Sequence, residues 1–395
     1  MSKLEELIKE LCPNGVEYKT LEEVCKFQRG QTITAKETIE GDVPVIAGGQ
    51  KPAYYHNKSN RIGETIAIAG SGAYAGYISY WTIPVFLSDS FSVNPDNSIL
   101  RTKYVYYFLE SIQIFIYGTK KGSGVPHVHG SSIAKFKIPV PPMEVQREII
   151  RILDNFTELT AELTAELTAE LTARKKQYEY YREKFITKIT YNTVKLSEVT
   201  DIYLGLTYTP TYVENGVKFI SAQNTSKDYL DLTNVKYISR KEFEKSTSNA
   251  KPKRGDILFT RVGSNLGHPV IVDTDEDLCM FVSLGYLRVN SDRLLNRYLR
   301  HWMNTDLFWS QVRKNVHGAA KVNLNTGWLR NFDIILPPLN EQKHIADMLD
   351  KFETLCNDIT IGLPAEIEAR KKQYEYYRDK LLTFEPIQLT EKELA

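Results

Sequence analysis

ARKKQYEYYR at Ala173–Arg182 recurs unchanged as ARKKQYEYYR at Ala369–Arg378, 196 residues later. The match continues upstream at the same offset. IPVPPMEVQREIIRILDNFTEL begins at Ile138, and IILPPLNEQKHIADMLDKFETL begins at Ile334. Pro141-Pro142 answers Pro337-Pro338, Gln146 answers Gln342, and Leu153-Asp154 answers Leu349-Asp350. An ungapped repeat of this kind identifies an internal duplication. The segments ahead of the copies match only sparsely. Leu21, Glu23, Val24 and Gly30 answer Leu196, Glu198, Val199 and Gly205 at an offset of 175, Lys103-Tyr104 answers Arg297-Tyr298, and Gly122 answers Gly318. The change of offset from 175 to 196 makes the second module 21 residues longer. Two readings of the divergence stand: drift after duplication, or helices that meet a constant partner while each module meets its own target.

The repeated segment reads as a helix. From about Glu144 to Lys188, the residues Ile149, Leu153, Phe156, Leu159, Leu163, Leu167 and Leu171 form a stripe at steps of three and four. Pro141-Pro142 sits just before its start. About 45 residues at 1.5 Å each make a rod of roughly 65–70 Å, too long for one small core. Its centre is a tandem TAEL: Thr160–Leu163, Thr164–Leu167 and Thr168–Leu171. Each four-residue step drifts by about 40°, so a partner helix must adjust locally to follow. The second copy, from Leu339 to about Leu382, is that expected partner. It carries Gly362-Leu363-Pro364 where the first carries Glu166-Leu167-Thr168, ahead of Ile367. Proline removes a donor and clashes with the preceding turn, so a kink or restart is expected there. The Arg-Lys-Lys-Gln-Tyr segments read either as phosphate-holding or, more commonly, as a solvated face whose tyrosines pack on a partner.

The chain divides as 1–17, an N-terminal helical segment; 18–137, a first module; 138–193, the first long helix; 194–333, a second module; and 334–395, the second helix and tail. The first module places strands at Val43–Ala47, Thr65–Ala69, Gly76–Trp81 and Phe91–Val93, and a helix at Thr102–Ile116. The second repeats the order with Val217–Ala222, Ile257–Arg261, Pro269–Val272, Tyr286–Val289 and a helix near Arg293–Arg313. Connections too short for regular crossovers make each an α/β (α+β) module with mixed or antiparallel strands.

Composition narrows the chemistry. The 395 residues carry a net charge of +1. Residues 18–137 hold 13 Lys/Arg against 9 Asp/Glu, and residues 194–333 hold 19 against 15. Mildly basic modules permit DNA binding without demanding it. Cys12, Cys25, Cys279 and Cys356 form no C-x-x-C pair and read as reduced, partly buried thiols. No apolar run approaches a membrane span, and no signal peptide opens the chain. Ala69–Gly76 is Gly-rich but lies between strands with no Lys-Ser/Thr following, so it reads as a tight turn or close backbone approach rather than a nucleotide cradle. His127-x-His129 lacks other ligands nearby, so no metal is assigned. The Pro-Pro pairs lack the flanking residues of an amino-methyltransferase motif, and no cofactor-binding turn or nuclease cluster stands out.

What remains is a set of polar, basic loops: Lys120, Lys121, Ser123, His127 and His129 in the first module, answered by Arg313, Lys314, His317, Lys321 and Asn323 in the second, with Arg261, Ser264 and Asn265 as a further cluster. Lys and Arg suit phosphate and guanine, and Asn suits adenine. The alternative for each residue is an ordinary solvated loop.

Two divergent modules, two matching long helices, the TAEL array and GLPAEIEARKKQYEYYRDK together resemble the specificity subunit of type I restriction–modification systems, in its group with TAEL-type spacers. The resemblance covers the whole chain. It implies two target recognition domains held apart by two helices paired as an antiparallel coiled coil with pseudo-twofold symmetry. It implies a bipartite, asymmetric double-stranded DNA site with an unread gap and no catalysis in this chain. It implies partners: two modification subunits that use S-adenosylmethionine to methylate adenine, and restriction subunits that need ATP and Mg. It implies a bacterial or archaeal cytoplasm, with no membrane. Thr160, Leu163, Leu167, Leu171, Leu363, Pro364 and Ile367 are the expected spacer positions. A coiled-coil scaffold with two ligand-binding modules not acting on DNA is the rival from another class, and a self-sufficient methyltransferase is a second.

Overall fold

The structure, a computed structural model, describes residues 2–122, 124–188, 191–262, 265–315, 323–357 and 362–387. The first repeated segment is one helix, Met143–Ile186, with neither Gly nor Pro inside it. The second is two helices, Leu339–Asn357 and Leu363–Leu381. The restart expected at Pro364 is therefore present: proline stands in the first turn, where its missing N–H costs nothing. The chain forms two compact units, Met1–Glu166 with Ile367–Ala395, and Leu167–Glu366. Each unit thus owns one module and a stretch of each repeated segment.

In the first unit, Tyr18–Thr20 pairs antiparallel with Lys137–Pro139, bringing the two ends of the module together. A four-stranded antiparallel sheet runs in the order Cys25–Arg29, Ser90–Pro95, Thr65–Ala69, Ile78–Trp81. A smaller sheet sets Val43–Ile46 between Tyr54–His56, antiparallel, and Phe86–Leu87, parallel. Ile66, Ile68, Phe91 and Val93 face a core completed by Tyr104, Val105 and Leu109 of the helix Thr102–Ser111 and by Ile149 and Leu153 of the long helix. The stretch expected as one helix to Ile116 breaks at Ile112 into a second helix, Gln113–Gly118. Leu4, Cys12 and Val16 from the N-terminal segment join that core, as do Leu382 and Phe384.

The second unit repeats this plan on a different sequence. Thr193–Lys195 pairs with Asp333–Ile335. The main sheet runs Thr200–Leu204, Leu284–Val289, Ile257–Thr260, Pro269–Ile271, again all antiparallel. The smaller sheet again sets one strand, Val217–Ile220, between an antiparallel neighbour, Lys236–Ile238, and a parallel one, Leu278–Met280. The added length falls between Ile220 and Ile257, where two short 3₁₀ turns and the helix Arg240–Lys245 intervene. The helix expected near Arg293–Arg313 is two, Asn296–Met303 and Asp306–Asn315, parted at Asn304-Thr305.

Each unit is locked by the same buried glutamine. Gln146 Nε2 donates to the Ile99 and Pro141 carbonyls, and its Oε1 accepts from Arg101 N. Gln342 Nε2 donates to the Arg293 and Pro337 carbonyls, and its Oε1 accepts from Leu295 N. Both are completely buried. A buried amide left unmet is costly, so these bonds fix where each long helix leaves its module.

The helices pack antiparallel within each unit. Phe156 meets Tyr377 at 5.9 Å between ring centroids in the first, and Phe352 meets Tyr181 at 5.8 Å in the second. Tyr181 and Tyr377 therefore pack, and Tyr178 and Tyr374 are half-buried, in line with the packing reading, whereas Tyr180 and Tyr376 face solvent together with Lys175, Lys176, Lys371 and Lys372. The stripe is not uniform. Leu153 is buried and Leu163 half-buried, but Leu159 is 59% exposed, because the step of three from Phe156 carries it off the contact line. Thr160 and Ile367 are half-buried in the first unit. In the second, Leu167 and Leu363 are buried, and Leu171 and Pro364 half-buried.

Candidate nucleic-acid interface

The Gly-rich stretch Ala69–Gly76 is a turn between two strands, with no helix after it. Gly76 has φ +86°, and a Cβ there would press on Ile116, Tyr117 and Val128. This turn anchors the basic loop that follows the helix Gln113–Gly118. Val128 N donates to Gly70 O at 2.9 Å, and Gly72 N donates to Pro126 O at 3.0 Å. Lys121 and His127 close the loop on itself through reciprocal backbone bonds of 2.9 and 2.8 Å.

The result is a cleft of about 850 Å³ in the first unit. Lys121, His127 and His129 line it, with the two imidazoles stacked at 6.3 Å between centroids. Lys120 lies instead over the Tyr117 ring, 4.3 Å from its centre. Ser123 lies outside the described residues. Sequence reasoning missed Arg29, Thr32, Asp89 and Ser131, which share the cleft wall. The signal for Arg29 was present, since the duplication singles out Gly30. That glycine is required because a Cβ would fall 2.4 Å from the Leu87 and Ser88 carbonyls, as one at Gly205 would fall 2.2 Å from Phe281 O.

The second unit keeps the same anchoring bond. Leu324 N donates to Arg261 O at 3.0 Å, and Val262 bridges Asn323. Arg261 and Asn323 are therefore brought together. Arg261 Nε and Nη1 donate to the Leu324 and Val282 carbonyls, and burial lowers its pKa. Asn265 is exposed, with its amide toward Thr225 O at 3.5 Å. Arg313 pairs with Asp306 at 2.6 Å at the end of the helix Asp306–Asn315. Lys314 lines a separate hollow with Trp328 and Asn331. Ser264, His317 and Lys321 lie outside the described residues.

Among the described residues, one group of side chains has metal-ligand spacing: His301, Asp350 and Glu353. The sequence did not single it out. Its carboxylates are already engaged, Glu353 by both Arg300 amines at 2.5 and 2.6 Å, and Asp350 by Arg297 and His301. This is an ion-pair network joining the helix Asn296–Met303 to Leu339–Asn357. The four cysteines are unpaired and buried. Burial pushes the Cys25 thiol up to about 12, which makes it inert as a nucleophile. Among the described residues no helix is long and apolar enough to cross a membrane.

The chain is thus one framework used twice, with a different set of basic loops on each copy. The family described as type I restriction modification DNA specificity domain matches residues 13–173 and again 188–369. A Haemophilus influenzae protein assigned as a type I restriction enzyme specificity subunit is 32% identical over 385 residues, covering 93% of this chain and 96% of its own. The EcoR124I/EcoR124II specificity subunit of Escherichia coli is 32% identical over 315 residues, covering 73% and 72%. In fold, the chain is similar to the HsdS subunit of Thermoanaerobacter tengcongensis, with TM-score 0.51, 18% identity and coverage of 94% and 96%. It is also similar to a chain from a study of assembly and conformational transition of the type I R-M system, with TM-score 0.68, 17% identity and coverage of 94% and 98%. The chain belongs to the type I restriction–modification DNA specificity subunits. It supplies DNA sequence specificity and is not itself the enzyme of the system.

Proposed function

We propose that the two modules, residues 18–137 and 194–333, are target recognition domains that each read one half of a bipartite, asymmetric DNA site. The observation that carries this reading is the pairing of one conserved framework with two unlike loop sets. Gln146 and Gln342 make matching bonds, while Gly70 in one unit is answered by Arg261 in the other. The helices 138–193 and 334–395 then set the unread gap. Tandem TAEL supports assigning the chain to the TAEL-spacer (type IC-like) group.

Lys120, Lys121, Ser123, His127 and His129, and Arg261, Ser264, Asn265, Arg313, Lys314, His317, Lys321 and Asn323, are the proposed DNA contacts. Lys and Arg suit phosphate and guanine, and Asn suits adenine. The partners are double-stranded DNA, two modification subunits that carry S-adenosylmethionine, and restriction subunits that use ATP and Mg. The setting is the cytoplasm of a bacterial or archaeal cell. The family assignment disfavours the coiled-coil scaffold that does not act on DNA.

The test is methylome sequencing of a host carrying this subunit with its modification partner. One asymmetric motif with a fixed internal gap is expected. A palindromic or ungapped motif would overturn the reading.

A further inference from the structure

The two units carry opposite polarity at one shared point of the framework. In the first, Gly70 N donates to Asp89 O at 3.0 Å, and Gly70 O accepts from Val128 N at 2.9 Å. In the second, Arg261 N donates to Ser283 O at 2.8 Å, and Arg261 O accepts from Leu324 N at 3.0 Å. Gly70 thus answers Arg261, and Asp89 answers Ser283. Where the first unit sets a carboxylate beside a bare glycine, the second sets a hydroxyl beside an arginine. Ser283 Oγ is occupied, accepting from Ala222 N at 3.2 Å.

Asp89 is the sole carboxylate among the cleft-lining residues of the first unit, where Arg29, Lys121, His127 and His129 supply the opposite character. A phosphate would be repelled by it. The donors a carboxylate can take from the major groove are exocyclic amino groups, N4 of cytosine or N6 of adenine. Asp89 is also held in place: Ser71 Oγ–H donates to its Oδ2, and its own carbonyl is fixed by Gly70. Gly70 leaves the other oxygen open: a Cβ there would touch Oδ1 at 3.4 Å, and Asp89 is exposed.

We infer that Asp89 is a specificity-determining residue of the first unit, accepting a hydrogen bond from the exocyclic amino group of a cytosine or adenine in its half-site. The inference rests on the reading of residues 18–137 as a DNA-recognition module.

The experiment uses the assembly of this subunit with its modification partner and duplexes carrying its methylome motif. Each cytosine and adenine of the first unit's half-site is replaced in turn by the analogue lacking the amino group. The wild-type assembly should lose about 5- to 100-fold in affinity at one position, the usual cost of one mismatched pair. Whether that position held cytosine or adenine names the base. Asp89→Asn keeps the shape and the Ser71 contact. It should bind the cognate duplex more weakly and lose little more from the same analogue, and its methylome should relax at that position alone. If wild type and Asp89→Asn lose equally from every analogue, or if the variant weakens cognate and unrelated duplexes alike, the inference is overturned and Asp89 belongs to the framework. Failure of the module reading shows differently: exchanging residues 18–137 would then leave both half-sites unchanged, whatever Asp89 does.

Discussion

His301 lies with Nε2 2.6 Å from Asp350 Oδ1, completely buried, where the first unit sets the Tyr107 hydroxyl 2.6 Å from Asp154 Oδ1. Both acids come from the repeated helical segments, and both partners come from matching helices, Thr102–Ser111 and Asn296–Met303. Burial alone would raise the Asp350 pKa, but His301 and Arg297 outweigh it and hold the carboxyl below its ordinary value. A carboxyl more acidic folded than unfolded stabilises fully above its unfolded pKa of about 4, and that contribution is lost as pH falls through the folded value. Asp350→Asn should therefore cost about 1–3 kcal/mol near neutral pH, from a half-buried charge pair broken on one side. It should also flatten the acid limb of a denaturation series below about pH 4. An unchanged acid limb would show that the pair contributes nothing to pH dependence.

The buried glutamines give a prediction about stability without charge. Gln146→Leu removes three hydrogen bonds and strands the Ile99 and Pro141 carbonyls and the Arg101 amide. A loss of about 2–4 kcal/mol is expected. Gln342→Leu should cost a similar amount. The two losses should add in the double variant, since they act in separate cores. Chemical denaturation of the three variants is the measurement.

Lys121 and Lys120 separate positioning from reading. Lys121 stands in the cleft wall, whereas Lys120 is committed to the Tyr117 face. Lys121→Ala should weaken binding to all sequences alike and reduce the slope of log K against log salt by about 0.9. Lys120→Ala should change that slope less. A Lys121→Ala variant that altered the recognised bases would assign it to the base edge instead.

The TAEL array gives a geometric prediction. Each unit adds about 6 Å of helix, close to two base-pair rises of 3.4 Å. Deleting Thr168–Leu171 should shorten the preferred gap, by one base pair once helix obliquity and DNA bending absorb part of the change. Methylation mapping that showed an unaltered gap would remove this segment from any role as a ruler.

Much of the architecture was legible because the duplication is exact over Ala173–Arg182, and because Pro364 and the Pro-Pro pairs punctuate the helices unmistakably. The main strands were legible from their apolar runs. The breaks at Ile112 and at Asn304-Thr305 were not, since neither carries a proline or glycine; the second is marked only by Thr305, whose Oγ1 accepts from Phe308 N at the start of the next helix. The smaller strands, such as Phe86–Leu87, are too short to show a period. Asp89 escaped notice for a different reason. A search for basic residues passes over an acid, and its place beside Lys121 comes from contacts between stretches distant in sequence. Arg261 was visible as a cation, but not that two of its nitrogens are committed to backbone carbonyls.

The division of the chain also bears on the order in which it is made. The second unit is continuous, Leu167–Glu366, and has all its residues before Leu382 is made. The first unit, although it begins at the N-terminus, takes Leu382 and Phe384 into its core, and Tyr18 donates its hydroxyl to Phe384 O at 2.9 Å. Those partners emerge from the ribosome after the whole second unit. The module translated first is therefore completed second, and until then Leu4, Cys12 and Val16 lack part of their covering. A chain truncated before Ile367 and released should leave the first unit open to proteases while the second resists them.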